Sequence, residues 1–314
     1  MRAARIHSFG GPVQIDEVDP PAAGPGEVVV DLRAVALNPI DLWVIEGSVA
    51  GGSQRLPFVL GCEGVGTTDG RRVVVNGGGI GSERDGLLRE RAAVPAQFVF
   101  DVPDAVDDAQ AAALSVVGIT SKRILEVGRV QPGTLVVVLG ASGGVGSVAA
   151  QAAKLIGATV VAVTGAPEKR AWVEQLGADL TVVGDDIPAA PTDAFGRLAD
   201  VVLNPLGGES VGEAVDMLVP GGCQVLYGRS AGDRAVFSAA GLYRKSNSIL
   251  GFGGLAEDEE SKRPARTWLF EQIAAGRLAI PVEKEFPLSA AAEAFDSIRT
   301  RETPGKAVVR IGDG

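Results

Sequence analysis

The chain has 314 residues, of which 46% are hydrophobic and 22% are charged, and its formal net charge is −10. This length and composition predict roughly two domains with a large core and argue against a disordered chain. The negative charge argues against nucleic acid or an anionic membrane as a main partner. The sequence has no apolar run of about 18 residues and no cationic start followed by an apolar segment, so we expect no membrane span and no signal peptide.

The first 110 residues show short strand-like runs separated by glycine and proline turns, without an alternation of helices and strands. This pattern predicts a mostly antiparallel β domain over residues 1–110. Two loops rich in glycine, residues 47–54 and 77–86, are candidate edges of a cleft. The predicted strands are Arg2–Ser8, Val13–Val18, Glu27–Leu37, Arg71–Val75, Arg91–Val94 and Gln97–Asp101.

A helix over Asp107–Val127 is predicted to lead into a second region, 111–254, in which helices and strands alternate. Such alternation is typical of a doubly wound parallel sheet, so the fold class is α/β. Residues 184–199 are expected to be a loop with at most one short helix. The other predicted helices here are Pro167–Leu176 and Gly208–Leu218, and the strands after residue 170 are Leu180–Val183, Asp200–Leu203, Gln224–Tyr227 and Ser248–Gly251. A further helix is predicted after this region, over Glu257–Ala275.

The C-terminal segment ends with another strand, helix and strand, over Val282–Phe286, Ala290–Thr300 and Lys306–Ile311. We expect these elements to rejoin the first domain, so that residues 255–314 complete it.

The most informative stretch is residues 135–157. The apolar run Leu135–Leu139 predicts a strand buried on both faces. A glycine turn and an apolar-striped helix follow, and a second strand, Thr159–Thr164, completes a βαβ unit. A helix N-terminus favours a phosphate, and glycine lets a pyrophosphate approach the backbone. We therefore predict a dinucleotide site, with an ordinary βα turn as the alternative. The predicted contacts of this turn are Gly140, Ser142, Gly143, Gly144, Val145 and Gly146.

Cysteine and histidine are scarce. Cys62 and Cys223 form no C-x-x-C motif, which indicates a reduced, cytoplasmic environment and leaves a single disulfide open. The only histidine, His7, is expected to be an exposed turn residue. A catalytic zinc usually needs three ligands, and a Ser-His-Asp hydrolase needs a histidine beside its nucleophile. We therefore expect neither zinc nor triad chemistry.

Seven short motifs, most of them containing glycine, are spread along most of the chain. They are Asn38-Pro39-Ile40-Asp41, Gly61-Cys62-Glu63-Gly64-Val65-Gly66, Gly118-Ile119-Thr120, Gly140 to Gly146, Leu176-Gly177-Ala178-Asp179, Pro205-Leu206-Gly207-Gly208 and Gly305-Lys306. In this order they make the chain resemble the zinc-independent, quinone oxidoreductase-like branch of the medium-chain dehydrogenase/reductase superfamily. The resemblance implies a GroES-like β domain, a Rossmann domain with the cofactor in the cleft between them, and a homodimer.

The resemblance also concerns whether the chain binds zinc. Zinc-dependent relatives have a cysteine where this chain has Asn38 and a histidine where it has Cys62, and they carry a four-cysteine zinc lobe that this chain lacks. The resemblance therefore implies a metal-free protein. Cys62 is expected to be a small buried residue.

The end of the second strand of the βαβ unit predicts the cofactor. NAD enzymes carry an acidic residue about 20 residues after the glycines, whereas here the strand ends at Thr164 and Gly165. Lys169 and Arg170 follow in the next helix. A neutral strand end and two cations suit a 2′-phosphate, so we predict NADPH, bound by Thr164, Lys169 and Arg170. The alternative is that both cations lie on a solvated helix face. The resemblance points to Lys169, although a tyrosine that often follows in relatives is replaced by Gly184.

For hydride transfer the protein mainly has to orient the cofactor and the substrate and to exclude water. Asn38 is the predicted hydrogen-bond donor to the substrate carbonyl, and Thr120 is predicted to lie at the nicotinamide end. The alternative for Asn38 is a turn residue. Asp41 is expected to hold its loop. Trp43 is expected to form a wall of an apolar substrate pocket, with a plain core residue as the alternative. Further predicted cofactor contacts follow strand ends, at Asn204, Leu206, Gly228 and Phe252.

These observations predict an NADPH-dependent, metal-free oxidoreductase that transfers hydride to a small molecule, either a quinone or an α,β-unsaturated carbonyl. Related enoyl reductases have a tyrosine in the segment that follows Asp41, where this chain has Trp43, so water could protonate the product. One alternative is an enoyl-thioester reductase of fatty-acid or secondary metabolism. Another is a non-catalytic NADPH-binding sensor, because fold does not fix function.

Overall fold

The computed structural model describes residues 1–184, 190–254, 257–301 and 303–312. The chain divides into two compact units, residues 1–116 with 266–314 and residues 117–265. The sequence predicts these boundaries several residues earlier, after residues 110 and 254.

The first unit begins with two antiparallel sheets. A three-stranded sheet has the order β2-β1-β4, and β3 is the centre of a larger sheet, where it pairs antiparallel with β5 and β7. The elements are β1 (Arg2–Ile6), β2 (Gln14–Glu17), β3 (Glu27–Ala36), α1 (Pro39–Ile45), β4 (Phe58–Val59), β5 (Glu63–Thr68), β6 (Arg71–Asn76), β7 (Arg91–Pro95), β8 (Val99–Asp101) and α2 (Asp108–Ala113).

The second unit is a parallel sheet of order β11-β10-β9-β12-β13-β14. The strand order reverses beside β9, which is where ligands bind in open α/β sheets. The predicted doubly wound fold is confirmed. The elements are α3 (Ile119–Val127), β9 (Leu135–Val138), α4 (Gly144–Ile156), β10 (Thr159–Thr164), α5 (Arg170–Glu174), β11 (Leu180–Val183), α6 (Ala190–Phe195), β12 (Ala199–Asn204), α7 (Ser210–Asp216), β13 (Leu218–Leu226), α8 (Ala239–Arg244) and β14 (Ser248–Gly251).

The last elements are α9 (Glu259–Ala274), β15 (Val282–Pro287), α10 (Ala291–Thr300) and β16 (Lys306–Arg310). β16 pairs antiparallel with β3, with Val309 opposite Val35, and β15 pairs parallel with β16. Phe295 of α10 is buried in the same core as Leu60 and Leu88. The C-terminal segment therefore rejoins the first unit, as predicted.

The predicted helix over Asp107–Val127 is interrupted by a π-helical turn at Leu114–Gly118, between α2 and α3. The physical reason is a competing acceptor: the Val116 N–H donates to Glu63 Oε2 at 2.7 Å. A π-helical turn inside a helix often marks a functional position.

Among the α-helices and strands of the described residues, four have no counterpart in the sequence prediction: α1, α8, β4 and β5. The sequence pattern does not indicate β5 because this strand contains Gly64 and Gly66, and glycine is depleted in strands. Both glycines are needed there, since a Cβ on Gly66 would lie 2.3 Å from the Asp31 carbonyl oxygen of β3. Of the predicted loop 184–199, residues 185–189 lie outside the described residues, and α6 is its one described helix.

Across the described ranges, no helix is both long and apolar enough to cross a membrane. His7 is exposed in a bend, as predicted, and its Nε2 lies 2.8 Å from Asp16 Oδ2.

Candidate active site

The glycine turn follows β9 at the carboxyl edge of the parallel sheet. Gly140 has φ +64°, a conformation that favours glycine. A Cβ on Gly146 would lie 2.3 Å from the Gly140 carbonyl oxygen, so α4 packs against the turn only if residue 146 is glycine. The first N–H groups of a helix have no intrahelical acceptor. Those of Gly144, Val145 and Gly146 are therefore available to a pyrophosphate, and the cradle fits a dinucleotide.

The structure joins the glycine turn to the end of β10. Thr164 Oγ1 donates to Ser142 Oγ at 3.2 Å, and the next residue, Gly165, is exposed. No carboxylate belongs to this strand end. Of the two predicted cations, Arg170 is exposed and donates to Glu174 Oε1 at 2.9 Å, whereas Lys169 is half-buried. Both cations stay predicted contacts of a 2′-phosphate, and the resemblance noted in the sequence points to Lys169.

Asn204, at the end of β12, is fully buried. Its amide nitrogen donates to Gln224 Oε1 at 2.7 Å and to Ser210 Oγ at 3.0 Å. Its amide oxygen accepts from the Leu206 N–H at 2.8 Å. The Asn204 side chain thus holds the turn after β12 and keeps no hydrogen for a cofactor, so its predicted contact could come only from its backbone. The contact predicted for Leu206 stays a prediction.

Three of the residues predicted to contact the nicotinamide belong to the second unit: Thr120 is the second residue of α3, Phe252 directly follows β14, and Gly228 lies just after β13. A Cβ on Gly254 would lie 3.5 Å from both the Phe252 ring and Thr120 Oγ1, so the structure brings Thr120 and Phe252 together. A Cβ on Gly228 would lie 2.4 Å from the Pro205 carbonyl oxygen, so this position requires glycine. The contacts of these residues with a cofactor stay predictions.

Tyr227 is a candidate hydrogen-bond donor to a ligand, and the sequence did not lead us to predict it. It directly follows β13, and its N–H donates to the Asn204 carbonyl oxygen at 3.0 Å. Its hydroxyl is buried and has no hydrogen-bond partner among the described residues. Burial raises the pKa of Tyr227, which keeps the hydroxyl neutral and able to donate. Its place just after a strand end is the signal that would have identified it.

A second group of candidate residues forms a buried polar cluster in the first unit. Asn38 lies between β3 and α1, Asp41 lies in the first turn of α1, and Lys306 is the first residue of β16. Cys62 and Glu63 lie at the start of β5. All five side chains are buried, and they define what we call the Asn38 cluster.

Hydrogen bonds join the members of this cluster. Lys306 Nζ donates to Asn38 Oδ1 at 2.7 Å and lies 3.8 Å from Glu63 Oε1. Asn38 Nδ2 donates to Glu63 Oε1 at 2.8 Å and lies 3.3 Å from the Ala36 carbonyl oxygen. The Asn38 backbone N–H donates to Asp41 Oδ2 at 2.8 Å, which caps α1 and gives Asp41 the loop-holding contact that the sequence predicts.

This geometry changes the interpretation of Asn38. The sequence predicts that its amide donates to a substrate carbonyl, but both amide hydrogens face protein acceptors, and its oxygen faces an ammonium. In this arrangement Asn38 orients its neighbours, which is closer to the alternative of a turn residue. Trp43 is half-buried on α1, and its predicted place in a substrate pocket stays a prediction.

Burial dominates the electrostatics of the Asn38 cluster. It raises the pKa of Asp41 to about 7, with the neighbouring Lys306 acting in the opposite direction. Burial also raises the pKa of Glu63 and lowers that of Lys306. The Cys62 thiol has its pKa raised by burial and by the two carboxylates, so it stays protonated and behaves as a small buried residue, as predicted.

The raised pKa of Asp41 predicts a pH-dependent stability. Between its ordinary value of 3.8 and about 7, the folded chain binds a proton that the unfolded chain has lost. The free energy of unfolding should therefore fall as the pH rises through this window, by up to about 4 kcal/mol, and then level off. Urea unfolding at several pH values should show this fall in the wild type and a smaller one in Asp41→Asn. Equal falls in both proteins would show that Asp41 is ionised throughout.

The donor set at this position does not fit zinc. A catalytic zinc needs about three anionic or imidazole ligands. In the Asn38 cluster the Cys62 thiol is protonated, and the Asp41 and Glu63 carboxylates already accept hydrogen bonds from Asn38 beside the Lys306 ammonium. Within the ranges that the structure describes, no group of three or more His, Cys, Asp or Glu side chains could hold a metal ion.

Comparison with known proteins agrees with this architecture. Residues 24–104 match the alcohol dehydrogenase GroES-like domain family, and residues 144–269 match the zinc-binding dehydrogenase family. A quinone oxidoreductase of Pseudomonas aeruginosa is 28% identical over 96% of this chain and 97% of its own length. A phenolphthiocerol/phthiocerol polyketide synthase polypeptide of Mycobacterium tuberculosis is 32% identical over 91% of this chain, which spans only 14% of that relative.

Among solved structures, the quinone oxidoreductase of Thermus thermophilus, determined alone and in complex with NADPH, is 31% identical and has a TM-score of 0.88. The match covers 99% of this chain and 100% of that one. The predicted GroES-like and Rossmann folds are therefore confirmed. The chain belongs to the medium-chain dehydrogenase/reductase superfamily, in its quinone oxidoreductase-like branch.

Proposed function

We propose that this oxidoreductase uses NADPH, without a metal ion, to reduce a quinone or an α,β-unsaturated carbonyl compound. The observation that carries the proposal is the glycine turn at the carboxyl edge of the parallel sheet. There the N–H groups of Gly144–Gly146 meet the requirements of a pyrophosphate, and Gly146 admits the close packing of α4. A quinone oxidoreductase that is 31% identical over the full chain forms a complex with NADPH, which supports the same cofactor here.

The bound cofactor supplies a hydride, which an electrophilic carbon conjugated with a carbonyl group accepts. The contribution of the chain is to hold the pyrophosphate at the glycine turn and the nicotinamide ring beside Thr120 and Phe252. The second hydrogen arrives as a proton. Because Trp43 stands where related enoyl reductases have a tyrosine, we assign this proton to water. The cytoplasmic location and the homodimer predicted from the sequence belong to the same proposal.

The preference for NADPH is assigned to Lys169. Replacing Lys169 by alanine removes a cation that follows the end of β10, so NADPH should bind about tenfold more weakly while the affinity for NADH stays nearly the same. Fluorescence titrations with both cofactors measure the ratio. Lys154→Ala is the matched control, because Lys154 lies in the last turn of α4 and pairs with Asp179. A Lys169→Ala variant that keeps the wild-type ratio would contradict the assignment.

The reaction is tested by NADPH consumption with a panel of acceptors. A benzoquinone, a cyclic enone and a crotonyl thioester should be offered at equal concentrations to the full chain. We expect consumption with the quinone or the enone. NADPH binding without NADPH consumption in the presence of any of these acceptors would contradict the proposed enzymatic activity and favour a cofactor-binding sensor.

An enoyl-thioester reductase is a second candidate, favoured by the polyketide synthase polypeptide that matches 91% of this chain. The same panel separates the two. A kcat/KM at least tenfold higher for the crotonyl thioester than for the free enone would make the thioester the substrate class.

A further inference from the structure

The Lys306 ammonium lies in a small shell of oxygen atoms. Nζ donates to Asn38 Oδ1 at 2.7 Å and to the Leu37 carbonyl oxygen, and Glu63 Oε1 lies 3.8 Å away. Lys306 is only 5% exposed and Glu63 is fully buried. The buried ammonium thus has two hydrogen-bond acceptors and a carboxylate oxygen nearby, which offset the cost of removing it from water.

This one cation fixes three segments that are distant in sequence. Through Asn38 it holds the turn that begins α1, and through Glu63 it holds the start of β5. Glu63 Oε2 in turn accepts the Val116 N–H at 2.7 Å in the π-helical turn. The hydrogen bonds also set the Asn38 amide in one orientation, with its oxygen toward the ammonium and its nitrogen toward the carboxylate.

Net stabilisation is a weak explanation for burying these groups. Buried ion pairs are often no more stabilising than well-packed apolar residues of the same volume, and the best-supported use of such groups is to specify one conformation. The conformation specified here is that of the Asn38–Asp41 turn and of α1, which carries Trp43.

We propose that Lys306 is a positioning residue, whose ammonium holds the Asn38–Asp41 turn and α1 in the conformation that binds the hydride acceptor. This inference rests on the proposed function, because it concerns the substrate side of the same reaction.

The test removes the ammonium and then returns it from solution. Lys306→Ala leaves an oxygen-lined space that propylammonium matches in charge and approximate length. We expect the variant to have a KM for the quinone at least about tenfold higher, with a smaller change in kcat and an NADPH affinity within about twofold of the wild type. Propylammonium should restore the KM, and 1-propanol, which lacks the charge, should not.

Lys245→Ala is the matched control, since Lys245 also donates to a backbone carbonyl oxygen but lies in the second unit, outside the Asn38 cluster. Propylammonium should leave the KM of this control unchanged. A wild-type KM in Lys306→Ala, or equal rescue by 1-propanol, would overturn the inference. Should the alanine variant fail to fold, the charge-free Lys306→Met/Glu63→Gln double variant replaces it, and we expect the same rise in KM.

The two proposals fail separately. If none of the acceptors leads the wild type to consume NADPH, the proposed function is contradicted. The unfolding midpoint of Lys306→Ala, with and without propylammonium, still measures whether propylammonium stabilises the chain. No stabilisation in that experiment would overturn the inference. If the wild type is active but Lys306→Ala behaves like it, only the positioning role is lost.

Discussion

Gly146→Ala is expected to lower the affinity for NADPH by at least about tenfold and the free energy of unfolding by about 1–3 kcal/mol. The added Cβ would lie 2.3 Å from the Gly140 carbonyl oxygen and 2.8 Å from Ala141 Cα, and both are backbone atoms that cannot rotate away. The first turn of α4 must therefore move away from β9, and its N–H groups move with it.

Cofactor titration and urea unfolding together measure this effect. Gly251→Ala is the matched control, because Gly251 lies in the same sheet and a Cβ there meets no atom within 4 Å. Normal NADPH binding by Gly146→Ala would mean that the phosphate does not lie on this helix, and the dinucleotide site would have to be placed elsewhere.

Glu63→Leu is expected to lower the free energy of unfolding by about 3–5 kcal/mol, because it removes the carboxylate that is paired with the buried Lys306. It also removes the acceptor of the Val116 N–H and of Asn38 Nδ2. Glu63→Gln keeps an oxygen for one of these donors and should cost less. Urea unfolding of both variants measures the difference.

A double variant shows whether the cost arises from the unpaired charge. Lys306→Met added to Glu63→Leu removes the ammonium as well, so most of the lost stability should return. If Glu63→Leu alone is as stable as the wild type, the ion pair that we describe between Lys306 and Glu63 contributes nothing to the fold.

The parallel sheet could be predicted from the sequence because its strands are buried on both faces and appear as short apolar runs. The strands Leu180–Val183 and Ser248–Gly251 have the predicted boundaries. In the first unit, β5 was not predicted because its glycines are typical of a turn, although close packing against β3 requires them. The π-helical turn was not predicted because the group that causes it, the Glu63 carboxylate, belongs to a strand that is distant in sequence.

In the candidate site, too, the local motifs could be predicted from the sequence, and the contacts between distant segments could not. The glycine turn is local in sequence, and the motif at Gly140–Gly146 was assigned from its own residues. The Asn38 cluster is not local. Asn38 was interpreted from its residue type as a free donor, but Lys306 and Glu63 occupy its amide in the fold. Both partners belong to motifs noted in the sequence, yet no sequence pattern shows that two charged side chains will be buried against the same asparagine.

The most direct test of the central claim is a deuterium transfer experiment. The full chain is incubated with a cyclic enone and NADPH that carries deuterium at C4, in each of the two stereochemical positions, and the product is analysed by NMR and mass spectrometry. Our account predicts one deuterium on the β-carbon of the product with one of the two labelled cofactors, and none with the other. A reduced product that carries no deuterium from either cofactor would contradict hydride transfer from NADPH.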